Sequence, residues 1–364
     1  MISYLSKADK KNLLGTALLR LDFNAEDEWR MKAALPPIHF LLKHSYKIVI
    51  LSHRGRPEGF NQKLSLKKDA DTLAKLLGKK IAFIHDLDLP KIKKSVGDSK
   101  KGSIFVLENL RFFKGEAEND KKFAQELASL GDFYVNDAFA VSHRENASIA
   151  AITEFLPSFA GLELEKEIKF LSKAMAKPKK PLVVILGGAK AHDKLGVLRY
   201  FKNKADCFLI GGASANTLLF ISGVDIKSSL MSKDKKDIKD LRRVLNYKNL
   251  IIPADVKFQG EAILDIGERT AAIFSEKIKN ARTIIWSGPM GAFEKKGFSG
   301  GTLAVAKAIA ENKKAFSVVG GGETVTFLEK HGLNKNFSFI STGGGAMLDF
   351  LAGKKLHGIK ALER

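Results

Sequence analysis

The sequence holds a single cysteine, Cys207, in 364 residues. One thiol excludes an intrachain disulfide and a zinc cluster built on thiolates. No apolar run approaches the ~18 residues that a bilayer-spanning helix requires. The opening Met-Ile-Ser-Tyr-Leu-Ser-Lys-Ala-Asp-Lys-Lys lacks the continuous apolar stretch of a secretory signal. A cytoplasmic protein without a membrane partner is therefore expected. There is no Gly-x-x-x-x-Gly-Lys-Ser/Thr phosphate loop and no protein-kinase signature set, so any bound nucleotide must be held by other means. Internal repeats and long low-complexity tracts are also missing.

Acidic residues are scarce beside basic ones, 40 against 61, which leaves a formal charge of +21. Such an excess fits nucleic acid, an acidic membrane surface or small anionic substrates. Most of it is lysine on polar helix faces, as in Lys67-Lys68, Lys121-Lys122 and the stretch from Lys233 to Lys239. Runs of this kind are usually solvated faces. No nucleic-acid motif and no interleaving of aromatic with basic residues accompanies them, so nucleic acid is expected only as a non-specific ligand. What the chain does have is enough apolar residues, 45%, for a full core. At about 150 residues per domain, its length suggests two.

Short apolar or β-branched runs alternate with helical patterns in the first part of the chain: Ala17 to Leu21, Lys47 to Leu51, Lys80 to Ile84, Ser103 to Leu107 and Phe133 to Val135. The theme returns with Pro181 to Leu186, Cys207 to Ile210, Thr283 to Trp286, Phe316 to Val319 and Phe337 to Ile340. Alternation of strands with helices predicts parallel sheets joined by crossover helices. The fold class expected is α/β, with two lobes, each a parallel sheet flanked by helices in a Rossmann-like three-layer arrangement. Between them, Leu164, Ile168, Leu171 and Met175 recur at helical spacing after Pro157 and before Pro178-Lys179-Lys180-Pro181, which predicts an interlobe helix.

Ligands of open α/β sheets bind beyond the carboxyl ends of the strands. In the first half those ends carry charge and amides: Asp22 and Asn24; His53, Arg54 and Arg56; Glu108, Asn109 and Arg111; Asn136 and Asp137, with His143 and Arg144 close behind. Guanidinium forks match carboxylate and phosphate bidentately, and Arg30, Arg56, Arg111 and Arg144 come from four segments. A multiply charged anion is the guest implied. A local pairing of Arg111 with Glu108 or Glu116 is the alternative for that one residue. His53 is assigned to binding, because a lone histidine after a strand is more often a hydrogen-bonding residue than a general base.

The strand ends of the second half are glycine-rich instead: Gly187-Gly188-Ala189-Lys190, Gly211-Gly212, Gly288-Pro289-Met290-Gly291, Gly320-Gly321-Gly322-Glu323-Thr324 and Ser341-Thr342-Gly343-Gly344-Gly345. Glycine lets backbone amides approach phosphate oxygens or a flat base closely. Lys190 and Lys194 are four apart, and are expected on one face at the start of the next helix. Two cations there oppose the helix dipole unless an anion lies between. Glu323, beside Thr324, is the candidate magnesium ligand.

Taken together, these segments resemble the phosphoglycerate kinase family. The resemblance rests on Arg20-Leu-Asp-Phe-Asn24, Ser52-His-Arg-Gly-Arg-Pro57, Glu108-Asn-Leu-Arg111 and Tyr134-Val-Asn-Asp-Ala-Phe139 in the first half. It continues in Leu186-Gly-Gly-Ala-Lys-Ala-His-Asp-Lys194, Asp265-Ile-Gly267, Trp286-Ser-Gly-Pro-Met-Gly-Ala-Phe-Glu294, Gly320 to Thr324 and Ser341-Thr-Gly-Gly-Gly345. It implies a 3-phosphoglycerate-binding lobe over 1–156, the interlobe helix and hinge over 157–178, a nucleotide-binding lobe over 179–345 and a tail, 346–364, returning to the first lobe.

By the same resemblance Asp22, Asn24, Arg30, His53, Arg56, Arg111 and Arg144 bind 3-phosphoglycerate. Arg30, Lys190 and Lys194 act on the phosphoryl group in transfer. Gly187, Gly211, Pro289, Glu294, Gly321, Gly322, Glu323 and Thr324 hold ATP with Mg2+, Glu294 at the ribose, and Gly343 and Gly344 steady the phosphate. The reaction implied is direct in-line transfer between ATP and 3-phosphoglycerate, with lobe closure in each turnover and a monomeric enzyme. Ser287 stands where the family usually has Asn, Glu323 where it usually has Asp, and His357 where Pro is common. The segment between Asn24 and Arg30 is shorter than usual. Two alternatives are a non-catalytic nucleotide-binding protein of this fold and added nucleic-acid binding through the basic surface.

Overall fold

A computed structural model describes residues 1–24, 28–86 and 88–363. The chain divides into two compact units, Met1–Ile168 with Lys355–Arg364, and Lys169–Lys354. The shortened segment after Asn24 lies largely outside the described residues.

The first unit is built on β1 (Thr16–Arg20), β2 (Lys47–Leu51), β3 (Ala82–Ile84), β4 (Ile104–Leu107), β5 (Phe133–Asn136) and β6 (Ser158–Ala160). They form one sheet in the order β3-β4-β2-β1-β5-β6, and every pairing in it is parallel. Parallel strands covered on both faces read as continuous apolar runs, as in Lys-Ile-Val-Ile-Leu of β2. Successive side chains then enter opposite layers. Leu19, Ile48, Ile50 and Val135 pack with Leu66, Ala70, Leu73 and Leu77 of the helix Lys67–Leu77 and its approach. Leu18, Val49, Leu51 and Tyr134 pack with Ile92 and Val96 of the helix Leu89–Gly97 and with Phe123 and Leu127 of the helix Lys121–Ala128. Asp120 caps the last of these by accepting from the Phe123 amide at 2.8 Å, an arrangement worth about 1 kcal/mol.

The second unit holds β7 (Leu182–Leu186), β8 (Cys207–Ile210), β9 (Leu250–Ile251), β10 (Val256–Gln259), β11 (Ala262–Ile266), β12 (Thr283–Ser287), β13 (Phe316–Gly320) and β14 (Phe339–Ile340). Six of them form a parallel sheet in the order β14-β13-β12-β7-β8-β9, while β10 and β11 pair separately as an antiparallel hairpin. On one face Val183, Ile185, Leu209, Ile284, Trp286 and Val319 pack with Phe274, Ile278, Val305 and Ile309 from two helices.

These sheets bear out the expected α/β class with its two six-stranded parallel sheets. Two details differ from expectation. Pro157 leads into β6, and the helix begins only at Leu162, running to Ala176. The boundary between the units falls within that helix. Its start is fixed by Asp137, whose Oδ1 accepts from the amides of Glu163 at 2.8 Å and Leu164 at 2.9 Å. Of the segment 346–364, the helix Gly345–Leu351 lies in the second unit and Lys355–Arg364 in the first.

Candidate active site

In both units the chemistry lies at the carboxyl ends of the strands. In the first, β1 delivers Asp22, β2 delivers His53 and Arg56, the single turn Leu110–Phe112 after β4 delivers Arg111, and the turn after β5 delivers Arg144. Arg30 comes from the short helix Glu28–Ala33. Asp22 is the hub: its carboxylate lies 3.7 Å from Arg30 Nη1 and 3.9 Å from His53 Nδ1, and it accepts from the Asn24 amide at 3.0 Å. Asn24 Oδ1 in turn accepts from the Gly55 amide at 2.7 Å, tying the two loops together.

Arg111 Nη1 donates to the Gly55 carbonyl, not to Glu108, whose oxygens accept from Ser65 Oγ and the Leu66 amide. Burial, with Arg144 and Arg20 close by, brings the Arg111 guanidinium down to about 10. Arg144 is lowered by burial and by Arg56, against the pull of Asp22. Cations thus crowd one another, opposed by Asp22 at Arg144 and by Glu116 at Arg111, the field an anion would relieve. Arg54 is the exception among the edge arginines, since it forms a two-pronged bond to Asp69, at 3.1 and 2.5 Å.

His53 is buried, and burial followed by Arg20, Arg111, Arg144 and Arg54 holds it well below the usual imidazole range. It is neutral at physiological pH and suited to binding. Among the described residues, His53 Nε2 and Arg30 Nε are both buried without a hydrogen-bond partner, polar atoms left for something else to satisfy.

The second unit offers backbone in place of side chains. Gly188, Gly212, Gly288 and Gly321 all have positive φ, +81°, +59°, +90° and +99°, and their turns interlock. The amides of Gly188 and Gly212 donate to the carbonyls of Pro289 and Met290 at 2.7 and 3.0 Å. A Cβ on Gly212 would come within 2.6 Å of the Gly188 backbone, so only glycine fits there. The Gly288 amide donates to buried Thr324 Oγ1 at 3.0 Å, joining two of the turns.

Beside them lies a cleft of about 180 Å³. Leu230, Pro253, Val256, Ile263 and Met290 make its apolar wall, while Asp265, Glu294 and Glu323 are its carboxylates. Asp265 is committed to structure, accepting from the amides of Ile266 at 2.9 Å and Gly301 at 2.8 Å. Glu323 is exposed on the first turn of the helix Gly322–Lys330. Of the expected nucleotide residues, Pro289, Glu294 and Glu323 line the cleft directly, and Gly187 and Gly211 sit one residue behind its lining Gly188 and Gly212. Gly321, Gly322 and Thr324 form the turn that carries Glu323, and Gly343 and Gly344 lie in the turn after β14.

Lys190 and Lys194 correct the expectation of one helix face. The helix starts at His192, so Lys190 lies in the preceding turn, exposed, while Lys194 is buried in the first helical turn. Their Coulombic coupling survives: burial lowers the Lys194 ammonium, Asp193 and Glu323 raise it, and Lys190 lowers it. Lys194 Nζ lies 3.8 Å from where a Cβ on Gly188 would stand.

The sequence reading did not place the apolar wall, much of which comes from the β10–β11 hairpin. Its Gln259-Gly260-Glu261 turn, with Gly260 at φ +57°, was the available signal. It also left Arg20, Glu116 and Ser148 without a role.

The geometry can be set against known proteins. The sequence model of the family described as phosphoglycerate kinase matches residues 15–354. The chain belongs to the phosphoglycerate kinase family. Phosphoglycerate kinases of Desulforapulum autotrophicum and Dictyoglomus turgidum are 44% and 40% identical to it, over 96% and 95% of this chain and 97% and 95% of theirs. Among solved structures, the phosphoglycerate kinase of Pyrococcus horikoshii OT3 is similar with a TM-score of 0.89 at 32% identity, covering 100% of this chain and 98% of that one. That of Coxiella burnetii gives 0.84 at 33%, covering 100% and 99%. The protein is an ATP-dependent phosphotransferase with the phosphoglycerate kinase activity of this family. Among the described residues, no helix is long and apolar enough to cross a membrane.

Proposed function

We propose that the charged edge of the first unit is the 3-phosphoglycerate site and the glycine edge of the second unit the ATP site. In this reading Asp22, Asn24, Arg30, His53, Arg56, Arg111 and Arg144 bind the acceptor. Lys190 and Lys194 hold the phosphoryl group in transfer, and Glu294 meets the ribose. The observation that carries it is the crowding of Arg56, Arg111 and Arg144 on one another beside the Asp22–Arg30 pair, with the buried Nε of Arg30 unpartnered among the described residues. Multiply charged anions are bound by such forks, and 3-phosphoglycerate presents a carboxylate and a phosphate.

On the nucleotide side, the apolar wall suits a flat base, and the turns at Gly321, Gly322 and Gly344 with the helix starts they lead into suit phosphate oxygens, while Gly187, Gly211 and Gly343, whose own amides donate to Ser287, Leu186 and Ser341, let a ligand approach the backbone closely. No group of three or more His, Cys, Asp or Glu side chains among the described residues could hold a metal by itself. That donor set fits Mg2+ carried on nucleotide phosphates, with Glu323 as the protein's carboxylate beside Thr324. When bound, the ion would neutralise phosphate charge. Arg30, Lys190 and Lys194 then supply positive charge to the equatorial oxygens during in-line transfer to the substrate carboxylate, with no covalent enzyme intermediate. Transfer requires the two reacting groups in contact, which closure in each turnover achieves. A monomer suffices for this chemistry.

The test is coupled phosphoryl transfer from Mg-ATP to 3-phosphoglycerate by the wild type and by Arg30→Ala. Turnover falling by roughly 10²–10³-fold in the variant is expected. Undiminished turnover would remove Arg30 from the reaction and with it this reading of the charged edge.

A further inference from the structure

A chain of four buried polar side chains runs behind the charged edge of the first unit, and only its last member belongs to the site proposed above. Glu116, 1% exposed, begins it. Its two carboxylate oxygens accept from Ser148 Oγ at 2.7 Å and from the Ser148 amide at 2.9 Å. Ser148 Oγ, having given its proton to Glu116, accepts from Arg20 Nε at 2.9 Å. Arg20 Nη1 donates to the Leu21 carbonyl, and Nη2 stands 3.0 Å from His53 Nδ1. Tyr134 Oη donates to the Ser148 carbonyl at 2.6 Å, so Ser148 is fixed on every side.

The direction of the last bond follows from chemistry. A guanidinium has five N–H donors and no acceptor. His53 Nδ1 therefore accepts from Arg20, and the single proton of the neutral ring is on Nε2. Asp22, 3.9 Å from Nδ1, is too distant to reverse this by a hydrogen bond. Nε2 is the ring nitrogen that is buried and has no partner among the described residues.

We infer that Glu116 and Ser148, acting through Arg20, are positioning residues that fix His53 as a neutral imidazole protonated at Nε2, making that N–H an obligate donor to an oxygen of 3-phosphoglycerate. Glu116 has a second task in this arrangement. Its carboxyl, raised by burial and drawn down by Arg20, partly offsets the Arg20 guanidinium, whose charge His53 and Arg111 still feel. The inference rests on the reading that His53 belongs to the acceptor site.

The direct test needs no mutation. Nitrogen-15 spectra of the histidine rings in the full-length protein, with His53 assigned by comparison with His53→Ala, should show a pyridine-type Nδ1 and a pyrrole-type Nε2 throughout the neutral pH range. A protonated Nδ1, alone or with Nε2, would overturn the tautomer and the inference with it.

The relay is tested by Glu116→Gln and by the milder Ser148→Ala, which keeps the carboxylate and removes only the bridging hydroxyl. Expected in both is a rise in KM for 3-phosphoglycerate, about tenfold in Glu116→Gln as a charge-assisted contact is weakened, with KM for Mg-ATP unchanged. The His53 ring should also lose its single tautomer. Unchanged ring spectra and KM in Ser148→Ala would sink the relay even if Glu116→Gln fails to fold. An unaltered KM for 3-phosphoglycerate in His53→Ala would instead overturn the acceptor-site reading, and the ring spectra keep that failure distinct from failure of the tautomer.

Discussion

The two sheets have the same plan, six parallel strands each, yet their ligand edges are made of different material. At the edge of the first unit charged side chains gather: Arg30 lies 3.7 Å from Asp22, and Arg56, Arg111 and Arg144 act on one another beside it. At the edge of the second the turns are built on backbone instead, with Gly188, Gly212, Gly288 and Gly321 at positive φ. Some helix starts differ along the same line, although Asp234 caps a helix of the second unit as well. Asp88 and Asp120 cap helices of the first unit with their carboxylates. In the second, Gly321 precedes a helix with no side-chain cap, while the first amides of the helix after Gly211, those of Gly212 and Ala213, already donate to the Met290 and Gly188 carbonyls at 3.0 Å. An open helix start accepts an anion, whereas an Asp-capped start has already satisfied its donors and repels one. One edge therefore suits a small anion with carboxylate and phosphate at its ends, and the other a polyphosphate with a flat base.

The largest effect expected from breaking this contrast is at Lys194, the buried cation beside the bare backbone. Lys194→Met keeps most of the volume and removes the charge. The drop in kcat should be roughly 10²–10³-fold, with 3-phosphoglycerate binding and melting temperature near wild type. Stopped-flow turnover and calorimetric binding of the acceptor check both halves. A kcat within a few-fold of wild type would mean that the amides alone stabilise the transferring group.

A paired substitution sharpens the comparison further. Gly212→Ala places a Cβ against the Gly188 backbone at positive φ, which should cost about 1–3 kcal/mol of stability and raise KM for ATP while leaving that for 3-phosphoglycerate alone. Arg56→Ala, at an exposed side chain, should raise KM for 3-phosphoglycerate about tenfold or more and leave the melting temperature unchanged. If Arg56→Ala destabilised the fold as much as Gly212→Ala, the division between a side-chain edge and a backbone edge would fail.

How far this division is legible in the sequence depends on the range of the contacts. Strands buried on both faces, such as Leu182–Leu186, announce themselves as unbroken apolar runs, and the residues directly after them form the candidate site. Ser158–Ala160 and Leu250–Ile251 are too short to carry a pattern, and pairing with a neighbour alone makes them strands. Lys190 was misplaced because spacing by four implies a shared face only inside a helix, and the helix begins two residues later. The relay from Glu116 to His53 joins residues 32, 128 and 33 apart in sequence. No local signal marks it, since its partners meet only through the order of the sheet.

A pH experiment separates the capped helix starts from the open ones. Burial raises the Asp137 carboxyl from its ordinary value to about 7, against the amides of Leu164 and Glu163 that favour its charged form. A carboxyl raised in the folded state takes up protons on folding between its unfolded value and about 7. Its contribution is thus fully present below about pH 4 and is lost as pH rises to about 7. Asp137→Asn keeps an oxygen for both amides and abolishes the titration. The melting temperature of the variant relative to wild type should climb from pH 4 to 7 and level off above. A constant difference would mean that Asp137 is charged throughout.

The smallest effect is expected at Glu323, where the two edges' materials meet in one residue: a charged side chain set on a glycine turn. Its carboxylate is exposed, on the first helical turn, and Glu323→Asp keeps the charge while shortening its reach by one methylene. Mg2+ holds near-ideal octahedral geometry and retains several waters, so a bridging water can fill the lost length, whereas a more tolerant divalent ion adjusts its own shell. Turnover with Mg2+ should stay within about threefold of wild type, and the ratio of Mg2+- to Mn2+-supported rates should shift more than either kcat alone. A collapse of activity with both ions would show that this carboxylate meets the metal directly and that the turn cannot adjust to it. The backbone edge would then depend on one side chain as strictly as the charged edge does on Arg30.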